Sequence, residues 1–319
     1  MFFSKKTKES IKTYSDEETL EQIRKLFFTS DAILVGGGAG LSTAAGFTYS
    51  GPRFENYFSD FQRKFGFDNM YVGGFYPFPT QEEYWAYWSR FIWINRYAPI
   101  PTGLYDKLRT LLQGRDYFVL TTNVDHCFQR SGFDKKRLFY TQGDYGLLQS
   151  ADPQGASLRK TYDNKEILRP MLLAQGFTIG LNDELEIPEG VTLKSSIPSE
   201  LIPVCPDDGG PMTTNLRADD KFVEDEGWVA AYRRYKAFVE EHSGSRILYL
   251  ELGVGYNTPG IIKYNFWNMT DRNPRASYVC LNAGHASAPE EIRDRSVWLN
   301  ADIAAVLAYL AAPPSGGAL

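Results

Sequence analysis

Asn123 and Asp125 stand two residues apart just after an apolar run, Tyr117-Phe-Val-Leu-Thr121. Gln142-Gly143-Asp144 follows a second run, Leu138-Phe-Tyr-Thr141. Polar clusters at the carboxyl ends of buried strands are where open α/β sheets place their ligands. A third stretch suggests the guest. Asp31-Ala-Ile-Leu-Val-Gly-Gly-Gly-Ala-Gly-Leu-Ser-Thr-Ala-Ala-Gly46 reads as a buried parallel strand, a glycine turn and a helix start. Glycines there let the backbone approach a ligand and adopt positive φ, and free N–H groups with the helix dipole favour an anion. The expected guest is the pyrophosphate of a dinucleotide. Singly these signals are not specific, because glycine-rich turns also serve packing and Asn-x-Asp also caps turns.

The elements that must position these residues follow from periodicity. Ser15 and Glu18 form a capping-box pattern, and Leu20, Ile23, Leu26 and Phe27 recur at helical spacing, so a first helix packs on the sheet before the strand at Ala32. Residues 47–58 are aromatic and interrupted by Gly51-Pro52, which reads as an ordered loop. Residues 81–97 form a helix dense in aromatics, the core of a small helical module. Leu104, Leu108, Leu111 and Leu112 mark another helix, closed by Gly114. Residues 150–225 break the pattern with prolines and short alternating pieces, a mixed and mostly β insertion. A helix with Trp228, Tyr232, Tyr235 and Val239, then strands at Arg246-Ile-Leu-Tyr-Leu-Glu-Leu252 and Ala276-Ser-Tyr-Val-Cys-Leu281, restore the alternation. Ile303, Val306, Leu307 and Leu310 mark the last helix. The expectation is α/β: a Rossmann-type, doubly wound parallel sheet with a smaller domain formed by two insertions. Residues 1–45, 101–149 and 226–312 would make the discontinuous nucleotide-binding domain. Residues 46–100 and 150–225 would make the small domain, and residues 313–319 a flexible tail.

Composition excludes other classes. A net charge of −5 argues against broad binding to nucleic acid or an anionic membrane surface. No apolar run approaches the roughly 20 residues that span a bilayer, and the first residues lack the apolar segment of a signal peptide. The expected location is cytoplasmic. Cys127, Cys205 and Cys280 show no C-x-x-C spacing, and His126, His242 and His285 are scattered, so no metal ligands are expected.

The order of motifs resembles the sirtuin family. Gly38-Ala-Gly-Leu-Ser42 with Gly46 is similar to the sirtuin G-A-G-x-S-x-x-S-G opening, with Ala45 in place of the second serine. Thr121-Thr-Asn-Val-Asp125 is similar to T-Q-N-I-D, and Gly253-Val-Gly-Tyr-Asn-Thr-Pro259 less closely to G-T-S-L-x-V-x-P. Asn282 ends the next strand, and Asn300-Ala-Asp302 echoes a late G-D. Three departures stand out. Gln142 precedes Gly143 where deacylases carry histidine. Val204-Cys-Pro-Asp-Asp-Gly-Gly210 keeps the turn of a zinc ribbon with a single thiolate, so the ribbon is degenerate and zinc-free. The I-P-D-F-R segment becomes Phe47-Thr-Tyr-Ser-Gly51, its arginine and phenylalanine shifted to Arg53 and Phe54.

Those departures, with Tyr49-Ser-Gly-Pro-Arg-Phe54, Gly73-Gly-Phe-Tyr-Pro77 and Trp85-Ala-Tyr-Trp-Ser-Arg90, resemble the macrodomain-linked branch of microbial sirtuins. The resemblance implies an NAD-dependent protein ADP-ribosyltransferase acting on a lipoylated carrier related to the glycine-cleavage H protein, with a macrodomain hydrolase reversing the modification. It also implies site roles. Asn123 would bond a ribose hydroxyl or an ordered water, and Asp125 would accept from the nicotinamide carboxamide. Gly38, Ala39, Gly40, Ser42, Arg53, Phe54, Gly253, Gly255, Asn257, Asn282 and Asp302 would line the cofactor. The chemistry agrees. Breaking the nicotinamide–ribose bond through an oxocarbenium-like state needs polar or negative groups near the developing charge. Glutamine has no titrating group near neutral pH, so Gln142 can orient a nucleophile but cannot act as the base that acyl removal needs. His126 is a weak substitute base, since alternation points it away from Asp125. The competing readings are a deacylase, an NAD glycohydrolase, a nucleotide-binding sensor without turnover and, least supported, a dehydrogenase.

Overall fold

A computed structural model describes residues 16–154 and 159–313. The chain begins with α1 (Asp16–Thr29), β1 (Ala32–Gly37), α2 (Ala39–Ala44), α3 (Pro52–Phe65), α4 (Met70–Gly74), α5 (Gln81–Ile92) and a π-helical turn, Trp93–Tyr97. Then come α6 (Leu104–Leu112), β2 (Tyr117–Thr121), α7 (Cys127–Arg130), β3 (Leu138–Tyr140), β4 (Gly143–Ser150), β5 (Tyr162–Asp163) and α8 (Lys165–Gln175). The remainder is β6 (Thr178–Ile179), β7 (Leu185–Glu186), β8 (Met212–Leu216), α9 (Glu226–Glu241), β9 (Ile247–Leu252), α10 (Lys263–Arg272), β10 (Ser277–Asn282), β11 (Ser296–Asn300) and α11 (Ile303–Ala311). Ser15 and residues 314–319, and with them the capping box and most of the expected tail, lie outside the described residues.

Six parallel strands form the main sheet in the order β11-β10-β9-β1-β2-β3. This is the doubly wound order, which reverses between β1 and β9. Strands buried on both faces carry apolar side chains on both. Ile33, Val35, Leu250 and Val279 meet α1, α6 and α11 on one face, whereas Leu34, Phe118 and Tyr249 meet α9 and α10 on the other. The reversal opens a crevice at the carboxyl ends of β1 and β9.

Two expectations are corrected. Gly51-Pro52 does not interrupt a loop but starts α3: Gly51 takes φ 69° and Pro52 occupies the first helical turn, where its missing N–H costs nothing. Phe54, Phe58 and Phe61 then share one buried face. Residues 150–225 are not mostly β, because α8 runs through them. Pro170 inside that helix masked its pattern, although Leu168, Met171, Leu172 and Gln175 are all buried.

A single aromatic core joins the two inserted stretches, with Phe58, Tyr87, Trp93, Leu172 and Cys205 among its members. Its polar centre is Arg90, whose side chain is fully buried. Its guanidinium donates to Asp60 at 2.7 and 2.9 Å, to Tyr57 O at 2.8 Å, to Gln175 Oε1 at 2.5 Å and to Lys194 O at 2.6 Å. All five N–H groups are thereby used, as a buried guanidinium requires. At the ribbon-like turn, Gly209 N–H donates to Cys205 O and Cys205 N–H to Gly210 O. The Tyr162 hydroxyl sits 2.6 Å from Asp207 and 3.7 Å from Cys205 Sγ, and Lys160 pairs with Asp207 at 3.0 Å. Among the described residues no cluster of His, Cys, Asp and Glu could hold a metal.

Under the crevice lies a second buried charge. Lys263 Nζ is 2.5 Å from Glu251 Oε1, both side chains fully buried. Glu251 also accepts from Tyr278 at 2.7 Å and from the Cys280 thiol at 3.3 Å. Burial, reinforced by Glu251, pushes that thiol up to about 12, so it stays protonated.

Two measurements check this account. Lys263→Met leaves the Glu251 carboxylate without a counter-charge and should cost about 3–5 kcal/mol in urea unfolding. Lys263→Met with Glu251→Met should recover most of that, and a double variant as unstable as the single one refutes the account. Metal chelators should leave the unfolding midpoint unchanged, and stoichiometric zinc in the purified protein would contradict the reading of the Cys205 turn.

Candidate active site

At the reversal two glycine segments touch backbone to backbone. Gly38 N–H donates to Leu252 O at 3.0 Å and Gly40 N–H to Gly253 O at 2.8 Å. A Cβ on Gly40 would stand 2.8 Å from Gly253 Cα, and one on Gly38 2.6 Å from Gly253 O. Gly253 itself has φ 63°, and a Cβ there would stand 2.4 Å from Leu41 N. Side chains cannot exist at any of these three positions. The expectation of free amides at this turn is thereby corrected: Gly38, Gly40 and Leu41 all donate to protein carbonyls, Leu41 to Gly38 O at 2.9 Å. Ala39 is exposed beside them. The glycines hold the two halves of the sheet together and shape the crevice rather than presenting a row of unpaired donors.

Directly behind this turn Asn123 and Asp125 meet Ser42. Asn123 Nδ2 donates to Gly38 O and to Ser42 Oγ, each at 2.9 Å. Ser42 Oγ donates to Asp125 Oδ2 at 2.5 Å. The Tyr105 hydroxyl lies 3.0 Å from Ser42 Oγ, and it must be the donor because the Ser42 hydrogen goes to Asp125. Burial pushes the Tyr105 phenol far above its ordinary value, which keeps that proton in place. Cys127 N–H fills Asp125 Oδ1 at 2.9 Å. Both of these Asn123 bonds are made by Nδ2, not by Oδ1.

Gln142 leaves the neighbouring strand. Thr121 pairs in register with Tyr140, and Thr141 N–H donates to Thr121 O at 3.0 Å, so residues 122–125 and 141–144 emerge side by side. The Gln142 carbonyl accepts from Arg217 N–H at 3.0 Å, while its side-chain Oε1 is buried without a hydrogen-bond partner. Unpaired buried acceptors are uncommon in folded proteins. His126 cannot serve as the base. Its ring turns away to Arg96, whose Nη2 lies 3.3 Å from Nδ1, and burial pushes it down to about 4.

The remaining expected residues divide. Asn282 closes the crevice wall by donating to Val254 O at 3.0 Å. Gly255 and Asn257 are exposed on the β9–α10 loop. Asp302 caps α11 through Ala304 N–H at 2.9 Å and is exposed. Arg53 donates to Thr48 O at 3.0 Å and to Ile94 O at 2.8 Å. Phe54, expected beside the cofactor, is instead core, 1% exposed and stacked on Phe58 at 5.8 Å. Helical phase carries it there, because Phe54 opens the buried stripe of α3. Tyr105 was missed. Its signal was the same kind, a place at i with Leu108 and Leu112 at i+3 and i+7.

No family model matches the chain. It is 38% identical over 296 residues to a protein ADP-ribosyltransferase of Staphylococcus aureus, spanning 92% of this chain and 87% of that protein. It is 32% identical over 256 residues to a probable bifunctional ADP-ribose hydrolase/ADP-ribosyltransferase of Fusarium oxysporum f. sp. cubense, spanning 77% of this chain and 39% of that protein. Among solved structures the fold is similar to a Sir2 enzyme at TM-score 0.53 and 16% identity, covering 92% of this chain and 96% of that one. A Sir2 mutant with a p53 peptide and NAD gives 0.51 and 16%, covering 91% and 96%.

Ser42→Ala removes the donor to Asp125 and the acceptor for both Asn123 and Tyr105. It should cost about 1–3 kcal/mol in chemical denaturation, because the Tyr105 hydroxyl is left buried and unpaired. Adding Tyr105→Phe should return part of the loss. Unchanged stability in Ser42→Ala would mean that the network does not form.

Proposed function

The chain belongs to the protein ADP-ribosyltransferases and has the sirtuin fold, and from that premise we propose that it cleaves the nicotinamide–ribose bond of NAD and transfers ADP-ribose to a lipoylated carrier protein. The observation that carries the choice of transfer over acyl removal is Gln142. A deacylase needs a titrating base at that position, and glutamine has none. The imidazole at hand, His126, is neutral, buried and turned away.

The crevice suits the substrate. The sheet order reverses between β1 and β9, where dinucleotides cross doubly wound sheets. Asn123 Oδ1 accepts from a ribose hydroxyl. The Asp125 carboxylate, fixed by Ser42 and Cys127 N–H, accepts from the carboxamide and faces the positive charge that develops as the glycosidic bond opens. Gln142 Oε1 accepts from a ribose hydroxyl or orients the incoming nucleophile. The acceptor rests on the resemblance of residues 49–54, 73–77 and 85–90 to the macrodomain-linked branch. The same resemblance supports a separate macrodomain hydrolase as the partner that reverses the modification, and the hydrolase half in the name of the Fusarium relative is consistent with such a pairing. Three free, buried cysteines favour a reducing compartment, in keeping with a cytoplasmic location. Among the described residues no helix is long and apolar enough to cross a membrane.

The test uses labelled NAD and a lipoylated carrier. Label should move to the carrier, and Asn123→Ala and Gln142→Ala should each slow nicotinamide release roughly a hundredfold or more, while NAD binding persists. Free ADP-ribose, unaffected by added carrier, would mark a glycohydrolase. Deacylation of acyl-lysine peptides with no label transferred would refute the proposal.

A further inference from the structure

Arg96 joins three segments that the reaction needs in fixed relation. It lies in the π-helical turn, where Ala98 N–H reaches Trp93 O at 2.9 Å across five residues. Such a turn widens the helix and re-aims its side chains, and π turns are frequent at functional sites. Arg96 Nε is 2.7 Å and Nη2 3.3 Å from the two oxygens of Asp144, a fork on a carboxylate. The same Nη2 reaches His126 Nδ1 at 3.3 Å, and His126 Nε2 lies 3.2 Å from Asp144 Oδ2, which closes the cluster. His126 directly follows Asp125, and Asp144 stands two residues after Gln142. The side chains of Arg96 and Asp144 are 20% and 5% exposed.

The surroundings leave this cluster little freedom. Asp144 Oδ1 also accepts from Gly146 N–H at 2.7 Å, and a Cβ on Gly146 would stand 3.0 Å from Arg96 Nε. Gly143, between Gln142 and Asp144, has φ 102°, and a Cβ there would stand 2.0 Å from Asn215 O. His126 holds a left-handed conformation, φ 56°, rare for a residue other than glycine. From the far side Arg130 donates to the carbonyls of Asn95 and Ala98, so α7 grips the same π turn. A buried ion pair seldom adds net stability over apolar packing. A planar fork does fix direction, which an apolar contact or a lysine cannot.

We propose that Arg96 and Asp144 are positioning residues whose forked pair, closed by His126, sets Gln142 against Asn123 and Asp125 and thereby controls the rate of nicotinamide–ribose cleavage rather than the affinity for NAD. The proposal rests on the reading of the site as an NAD-cleaving one. Neither residue touches the reacting atoms. Each acts by holding a main-chain segment whose neighbour does.

The test compares R96K, D144N and the double variant with the wild-type protein. It reads nicotinamide release at saturating NAD, NAD affinity by calorimetry, and the melting temperature. R96K keeps the charge and loses the fork, and D144N keeps the shape and loses the charge. Each should lower kcat roughly ten- to a hundredfold, the scale of a misplaced catalytic group. NAD affinity should stay within about twofold. The double variant should be no slower than the slower single one, because both break one link. Should R96K fail to fold, D144N carries the same comparison. Variants with kcat within twofold of wild type overturn the proposal. So do variants in which kcat, affinity and melting temperature fall together, the pattern of general loosening. A wild-type protein that binds NAD and never releases nicotinamide overturns the underlying reading, and this proposal with it.

Discussion

The contact on which the site depends is backbone against backbone, Gly38 and Gly40 against Gly253. It brings the carboxyl ends of β1 and β9 closer than any side chain would allow. The sheet order reverses there, so the crossing helices diverge and a crevice opens beside the contact. Everything polar in the site is registered on that approach. Asn123 reads the position of β1 through Gly38 O, and Asn282 reads the β9 loop through Val254 O. A single methyl group at Gly253 would meet Leu41 N at 2.4 Å in an already left-handed conformation, so the cost would fall on the whole crevice and not on one residue.

Behind that contact the site is built in depth. Ser42 is shared by Asn123, Asp125 and Tyr105, so one hydroxyl on α2 aligns an amide and a carboxylate from the β2–α7 loop and a phenol from α6. Groups held this way need little reorganisation as charge develops, and preorganised polar groups in a water-poor site stabilise that charge strongly. The Gln142 side is built differently. Its strand end is restrained by the close approach of Gly143 to Asn215 and by the Arg96–Asp144 fork. Its side-chain oxygen has no partner within the protein. Of these functional groups, the one whose type separates transfer from deacylation is also the one left unsatisfied.

The small domain shows a second device. Two stretches separated in sequence share one aromatic core, and Arg90 at its centre binds α3, α8 and the Lys194 carbonyl from α5. Aromatic packing and a saturated guanidinium tie the two stretches together, and Tyr162, Asp207 and Lys160 surround the thiol of Cys205 with hydrogen bonds and an ion pair.

Sequence by itself determined the alternation of strands and helices, the doubly wound class and the stretches that carry Asn123, Asp125 and Gln142, because burial periodicity and glycine turns are local properties. It also carried the family resemblance, since the order of motifs is linear. It misread residues 52–58, where Gly51-Pro52 served equally as an interruption or a helix start, and the helix at 165–175, where Pro170 broke the pattern. Those choices belong to the aromatic core, which rewards helical phase at Phe54, Phe58, Leu168 and Leu172 only once both insertions have met. Tertiary structure alone decided which glycines serve packing, that Phe54 is core, that His126 faces Arg96 and that Tyr105 completes the Ser42 network. Apart from the burial of Phe54, each of these is a contact between residues 30 to more than 200 positions apart, and no local pattern records a partner at that distance.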